Sequence, residues 1–126
     1  MRWLSGVAAL ACLFSAVPAS AQSAKGYLII EHAVVTPDIA ERLKPYSAAT
    51  RPLLAEFEGR FVIAGGKTVE AVEGGWQPPF VAVIEFPSLE RARAFYRSPG
   101  YQAVLPLRLA ALPDSKAFLV EGTAQP

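Results

Sequence analysis

The sequence has 126 residues, of which 52% are hydrophobic, and 12 basic and 11 acidic side chains give it a formal net charge of +1. A chain this close to neutrality lacks the basic excess that binding to nucleic acid or to an anionic membrane surface requires. With a single cysteine and a single histidine it can build neither a disulfide framework nor a zinc site, which needs three or four nitrogen or sulfur ligands.

The N-terminus is typical of a secretory signal peptide. Arg2 precedes an apolar run, Trp3–Val17, and the small residues of Ala19–Ala21 suit a signal peptidase. The run is shorter than the roughly 18 residues of a membrane span. We expect cleavage after Ala21, a periplasmic or secreted location, and one mature domain of residues 22–126. Without Arg2 the mature chain has 12 − 1 = 11 basic residues against 11 acidic ones, so we expect no membrane binding after cleavage.

The first strand and the first helix follow directly. Residues 27–35 form a continuous aliphatic and aromatic run, which is typical of a central strand. Thr36 and Pro37 predict a helix start, with Thr36 as its cap and Pro37 at the first helical position. Pro45 and Pro52 predict that this helix is kinked or interrupted, and Gly59 is expected to cap its C-terminus. The buried stripe of the helix is predicted from the 3.6-residue period: Ile39, Leu43, Tyr46, Leu53 and Phe57.

Two further strands and an arm are predicted in the middle of the chain. The second strand is RFVIAGG, residues 60–66, in which Gly65-Gly66 indicates a bulge or a close backbone approach. The stretch KTVEAVEGGWQPP predicts a hairpin arm with Gly74-Gly75 at its tip and Trp76 beside the tip. FVAVIEF, residues 80–86, predicts the third strand.

The C-terminal third predicts two more helices and a closing strand. Ser88 caps a helix over 89–97, and Ser98 with Pro99 starts a second, shorter helix. Pro106 is the residue that would break this short helix. SKAFLVEG predicts the fourth strand. The short helix has one inward stripe, made by Tyr101, Val104, Leu105, Arg108 and Leu112.

The order β-α-β-β-α-β predicts a ferredoxin-like α+β sandwich, with an antiparallel four-stranded sheet covered by helices on one face. The other face would then be open. Strand alternation places apolar side chains on both faces, so a monomer would expose a large apolar surface. We therefore expect a homodimer in which two open sheet faces pack together.

The run VAVIEFPSLERARAFYRSPGYQ with the LPLR that follows, together with KGYLI, GRFVIAGG and EGGWQPP, resembles the family called domain of unknown function 1330, in the dimeric α+β-barrel superfamily. The resemblance covers nearly all of the mature chain. It implies the fold and the dimer, and it implies no activity. The chain departs from the usual cytoplasmic members in its signal peptide, in Pro45, and in Gly100, where an acidic residue is more common.

Three residues are candidates for acid–base chemistry. His32 is the one side chain that titrates near neutrality when unperturbed, although a strand histidine satisfied by backbone groups is the alternative. Glu31 and Glu85 share a sheet face by parity, as does Glu121, and we take the first and third strands as parallel neighbours. Glu31 and Glu85 should then lie close together and raise one pKa, as a general acid requires. The alternative is ion pairing at the dimer seam.

Two function classes remain. The first is a small-molecule binder or acid–base enzyme. Because the sequence contains no nucleotide-binding loop and no serine elbow, such a protein would use acid–base chemistry without a built-in cofactor or would borrow a flavin or a heme. The second is a non-catalytic dimeric structural or interaction module whose aromatic residues are core. An enclosed cavity that reaches Arg108 favours the first class, and a filled core favours the second. The first class predicts a pocket between sheet and helices, lined by Tyr46, Trp76, Tyr96 and Tyr101.

Arg108 points where an apolar residue belongs. A buried arginine without a partner is costly, so we predict an ion pair with Glu85 first and Glu31 next. In the alternative interpretation, Arg108 and the Tyr101 hydroxyl hold an anionic substrate.

Overall fold

The computed structural model describes residues 23–76 and 78–126, so the predicted signal peptide, residues 1–21, lies outside the described residues. Among the residues that are described, no helix is both long enough and apolar enough to cross a bilayer. The elements in chain order are β1 (Gly26–His32), α1 (Ile39–Glu56), β2 (Arg60–Ile63), β3 (Phe80–Phe86), α2 (Leu89–Arg97), α3 (Pro99–Ala111) and β4 (Lys116–Glu121).

The four strands form one sheet in the order β2-β3-β1-β4, and every pairing is antiparallel. The ferredoxin-like α+β fold is therefore confirmed. The assumption that the first and third strands run parallel is wrong, because the α1 crossover makes β2 parallel to β1 and β3 then returns between them. This correction changes which charged side chains can meet.

The segment between β1 and α1 differs from its prediction. β1 ends at His32, and the side chains of Val34 and Val35 are 57% and 40% exposed. The N-cap of α1 is Asp38 rather than Thr36. The Thr36 hydroxyl donates to the Asp38 carboxylate at 2.5 Å, so it is not available to cap the helix.

α1 runs without interruption through Pro45 and Pro52, although an interruption was one of the two predicted outcomes. Both prolines are exposed, as are Glu41 and Ala48, whose carbonyls lose their helical partners. Water can hydrate these carbonyls, and the buried face of the helix keeps its packing. At the C-terminus the left-handed position is taken by Glu58, with φ 57°, and not by Gly59.

The predicted hairpin arm is wrong. β2 stops at Ile63, after a register shift between Phe61 and Ile63, and neither 64–76 nor 78–79 contains a strand. Nearly all of these side chains are exposed, so they have no apolar face that would pack as a ribbon. Gly74 and Gly75 do make a turn, with φ values of 75° and 68°.

The two C-terminal helices begin where the sequence predicts. The Ser88 hydroxyl accepts from the N–H of Arg91 at 3.0 Å, and the Ser98 hydroxyl accepts from the N–H of Tyr101 at 3.1 Å. α3 continues past Pro106 to Ala111. The inward stripe of α3 therefore stays in the core, and its aromatic member, Tyr101, packs on Phe95 of α2 at a ring-centroid distance of 4.5 Å.

None of the helices that the structure describes covers the second face of the sheet. The strand register aligns four apolar side chains in a row that crosses all four strands, with polar pairs on both sides. Arg60 and Glu85 are opposite each other on one side of this row, and Glu31 and Lys116 on the other. We call the row the open-face stripe, and its members are Ile63, Val83, Ile29 and Phe118.

Candidate functional site

A cavity of about 380 Å³ lies between α1 and the helix-covered face of the sheet. α1 makes most of its tertiary contacts with α3, whereas α2 packs on β1, β3 and β4, so a gap remains over the β2 side of the sheet. The volume falls within the roughly 300–1,000 Å³ of small-molecule pockets. The walls come from α1 (Ala40, Leu43, Tyr46, Ser47, Arg51, Leu54), the strands and the segment after β2 (Ile30, Phe61, Ala64, Gly65, Phe80, Ala82) and α3 with its C-cap (Arg108, Leu112).

Arg108 lies in the wall of this cavity and is only 2% exposed. Its Nη1 donates to the Ser115 hydroxyl at a long 3.4 Å. Its Nε is buried and has no hydrogen-bond partner among the described residues. The sequence period therefore predicted the direction of this side chain correctly.

The predicted ion pair of Arg108 is wrong. Glu85 and Glu31 lie on the open face, on the other side of the sheet from α3. Glu85 accepts hydrogen bonds from Arg60 at 2.9 Å and from the Tyr27 hydroxyl at 3.3 Å. None of the ion pairs formed by the described residues includes Arg108.

The three glutamates do not form a cluster. Glu85 is opposite Tyr27 and Glu31 is opposite Val81, so the two carboxylates are four positions apart along antiparallel strands, or roughly 13 Å. Glu121 is opposite Gly26, which places it on the helix-covered face rather than on the face of the other two. The predicted proximity of Glu31 and Glu85, and the shared face with Glu121, are both wrong, because β1 and β3 are antiparallel and the β4 register sets Glu121 apart.

His32 is buried at the end of β1, and backbone groups surround its ring. Nδ1 accepts from the N–H of Val34 at 3.2 Å, and Nε2 contacts the carbonyl oxygen of Pro113. With Glu31 and Trp76 it borders a separate hollow of about 120 Å³, well below the roughly 300 Å³ of a ligand pocket. The arrangement is that of a structural histidine satisfied by the backbone.

The predicted pocket aromatics divide between cavity and core. Tyr46 lines the cavity, and its hydroxyl lies 3.0 Å from that of Tyr101, which is fully buried behind it. Tyr96 packs on Tyr101 and lines a different hollow, of about 530 Å³, rather than this cavity. Trp76 is 67% exposed and borders the small hollow beside His32.

Burial raises the pKa of both Tyr46 and Tyr101 above the ordinary value of 10.0. For Tyr46 the hydrogen bond with Tyr101 opposes this rise, and for both rings the charge of Arg108 opposes it. Both hydroxyls are therefore neutral near pH 7, so they can donate hydrogen bonds but cannot act as bases.

The two buried tyrosines predict an alkaline limit to stability. A folded-state pKa above 10.0 contributes stability that is fully present below pH 10 and is lost as the pH rises through the folded pKa. Over that window we expect the free energy of unfolding to fall by about 1.4 kcal/mol per pH unit for each tyrosine. Urea unfolding at a series of pH values measures the slope. In Tyr101→Phe the fall in the free energy of unfolding per pH unit should be smaller by the contribution of one tyrosine. An unchanged slope would contradict the conclusion that the buried Tyr101 hydroxyl contributes to it.

Sequence reasoning missed Ser47 and Arg51. Both line the cavity, one helical turn apart on α1 and next to its buried stripe. The signal was present, because Leu43, Ser47, Arg51 and Leu54 recur at spacings of four, four and three. Gly65 was noticed, and a Cβ there would overlap the ring of Phe80, so the close-approach interpretation fits this position.

The part of the chain that the structure describes contains no cluster of His, Cys, Asp or Glu side chains that could hold a metal ion. Among the described residues, the polar side chains that line the cavity are those of one tyrosine, one serine and two arginines. This set can bind and orient a ligand by hydrogen bonds and by charge.

Comparison with known proteins supports the fold and gives no activity. Residues 25–123 match the model of a family described as "Domain of unknown function (DUF1330)". No curated protein matches the chain.

Solved structures give the same picture. The chain is similar to a protein of unknown function from Rhodopseudomonas palustris, with 20% identity, a TM-score of 0.57, and coverage of 82% of this chain and 86% of that one. A dimeric ferredoxin-like protein of unknown function from Jannaschia sp. CCS1 is 14% identical over 79% and 98% of the two chains, with a TM-score of 0.56. A hypothetical protein from Arabidopsis thaliana is 16% identical over 82% and 91%, with a TM-score of 0.53. At these identities the likeness supports the fold alone.

Proposed function

The chain belongs to the family described as domain of unknown function 1330, and we propose that this member is a secreted homodimeric protein that binds a small molecule between α1 and its sheet. The observation that carries the proposal is the environment of Arg108. A guanidinium that is 2% exposed, with an unpartnered Nε, lies in the wall of a cavity of about 380 Å³. A filled core, as expected for a purely structural module, would not need this charge.

Binding is better supported than acid–base catalysis. Glu31 and Glu85 are on the face of the sheet opposite the cavity, and both ring nitrogens of His32 contact backbone groups. The tyrosine hydroxyls near the cavity have raised pKa values and stay protonated. No carboxylate or imidazole of the described residues lines the cavity, so the groups present hold a ligand rather than move its protons.

The dimer is proposed from the open-face stripe. Ile63 and Phe118 are 44% and 46% exposed, and Val83 lies half-buried between the outer strands. An apolar stripe flanked by polar pairs has the layout of a protein interface, with an apolar centre and a polar rim. The similar protein from Jannaschia is described as dimeric. We propose that a second copy of this chain covers the stripe through a two-fold contact.

Secretion is proposed from the N-terminal sequence. We expect the exported protein to begin at Gln22, because Ala19 and Ala21 satisfy the small-residue rule for signal-peptidase cleavage. The intact mass of protein recovered from the periplasm or the medium tests this directly. A mass that retains residues 1–21 would contradict it.

A thermal-shift screen of residues 22–126 against a metabolite and cofactor library, with flavin and heme included, tests the binding function. Compounds that bind the native state raise the melting temperature by mass action. We expect at least one compound to do so in the wild type and to lose its effect in Arg108→Met. If no compound shifts the wild type, the binding function fails and the dimeric structural module remains. A hit that acts equally on Arg108→Met would place the ligand elsewhere.

A further inference from the structure

Resting on the binding function above, we propose that the ligand is a small organic anion: a carboxylic acid with an apolar body, whose carboxylate pairs with the buried guanidinium of Arg108. The charge of the cavity, the unpartnered Nε of Arg108 and the apolar walls each point to that class.

The charge of the cavity is of one sign. Its walls contain two guanidinium groups, Arg108 and Arg51, and none of the described residues that line it is acidic. Arginine stays protonated at every physiological pH, so the cavity carries two positive charges. A buried cation, with a second cation at the mouth and no acidic side chain among the described lining residues, favours an anionic occupant over a neutral or a cationic one.

One donor of the Arg108 guanidinium, Nε, is buried and unpartnered among the described residues. Nη1, on one edge of the group, donates a hydrogen bond to the Ser115 hydroxyl. Nε, on the opposite edge, has no partner among the described residues. A carboxylate that accepts from Nε and the neighbouring Nη2 forms two parallel charge-assisted hydrogen bonds. Such a ligand satisfies the orphaned donor and neutralises the buried charge in one step.

The remaining walls define the body of the ligand. Apart from Ser47, the side chains that surround the polar groups are aliphatic or aromatic, so the part of the ligand beyond its carboxylate should be apolar. The volume of about 380 Å³ is at the lower end of the range for small-molecule pockets, which favours a compact molecule. A highly hydrated anion such as inorganic phosphate would leave most of the apolar wall without a partner.

Arg51 and Tyr46 have secondary roles in this arrangement. Arg51 is exposed on α1, so it stands at the mouth of the cavity and attracts anions from solution. Solvent screens a charge in that position, and its contribution should weaken with added salt. The Tyr46 hydroxyl, next to that of Tyr101, is a neutral donor in the same wall.

Matched acids and amides test the inference. Isothermal titration of residues 22–126 compares benzoate, phenylacetate and hexanoate with benzamide, phenylacetamide and hexanamide, which have nearly the same shape and no charge. We expect at least one acid to bind, and its amide to bind at least about tenfold more weakly, since a charge-assisted pair exceeds a neutral hydrogen bond by about that factor. Inorganic phosphate is the third arm, and we expect it to bind more weakly than the acid.

Variants locate the binding. Arg108→Met should lower the affinity for the acid by about 10- to 100-fold. Arg108→Lys should recover only part of this loss, because lysine keeps the charge but not the paired donors of the guanidinium. Arg51→Met should weaken binding by only a few-fold, and the difference from wild type should shrink at high salt. Arg93→Met is the matched control, since Arg93 lies on α2 and lines no described hollow. Circular dichroism confirms that each variant is folded.

Three results would overturn the proposal that the ligand is an organic anion, and each of them leaves the proposed binding function standing. If an amide binds as well as its acid, the cavity binds small molecules but does not select anions. If phosphate binds best, the organic body is wrong. If none of the six organic probes binds while the library screen gives a neutral ligand dependent on Arg108, the anion inference fails and the binding function stands. Failure of the library screen as well removes both.

Discussion

Arg108→Met should raise the free energy of unfolding of the ligand-free protein by about 1–3 kcal/mol, the usual cost of a buried polar group left without a partner. Nε of Arg108 is such a group, and the hydrogen bond that the side chain makes among the described residues, to Ser115, is long at 3.4 Å. Methionine keeps much of the apolar stem and fills irregular space without a charge. Proteins often keep functional residues that lower stability, so a destabilising side chain in the wall of a cavity is expected if that residue binds a ligand.

Urea unfolding of the wild type and Arg108→Met, both without ligand, measures this difference. At about 4–8 °C per kcal/mol for a domain of this size, the melting temperature should rise visibly as well. Ser115→Ala is the control: it removes the hydrogen-bond partner of Arg108 among the described residues and should lower stability slightly. A loss of stability in Arg108→Met would instead show that Arg108 is a structural residue.

Val83→Lys should convert the proposed dimer to a monomer. Val83 lies in the second position of the open-face stripe, between Ile63 and Ile29. A two-fold contact would bury two new lysines, one from each copy, and each unpaired buried charge costs several kcal/mol. The loss in dimer affinity should therefore be more than a thousandfold, since every 1.4 kcal/mol corresponds to a factor of ten.

Light scattering of wild type and variant at micromolar concentration gives the result. Val72→Lys introduces the same change at a side chain that is 86% exposed and lies outside every strand, so it should leave the dimer intact. If the wild type is itself a monomer, or if Val72→Lys dissociates as readily as Val83→Lys, the open-face stripe is not the interface.

The sequence contained more about directions than about partners. The 3.6-residue period and the Ser98–Pro99 start placed Arg108 inward, and the structure agrees. Its partner depended on which face of the sheet the helices cover, which no local pattern encodes. The helices cover the face that carries Ile30 and Ile84, so the two glutamates lie on the other face and the predicted ion pair is lost.

The cavity was beyond prediction for a related reason. Whether α1 lies against the sheet or against α3 is decided by tertiary packing, which periodicity does not report. The stripe through Ser47 and Arg51 was readable on α1, but polar residues beside a buried stripe are usually a solvated helix flank. Only the gap over β2 turns these two residues into cavity walls.

The claim that Arg108 holds the ligand is tested most directly by NMR. The Nε–H resonance of Arg108 is followed in a ¹⁵N-correlated spectrum of residues 22–126 while the tightest-binding acid of the panel is added. The signal is assigned by its absence in Arg108→Lys. A hydrogen bond from Nε to a carboxylate should move this resonance downfield in saturable fashion, with the same dissociation constant as the calorimetric titration, and the matched amide should move it far less. A resonance that stays in place while the acid binds would contradict the claim that Arg108 holds the ligand.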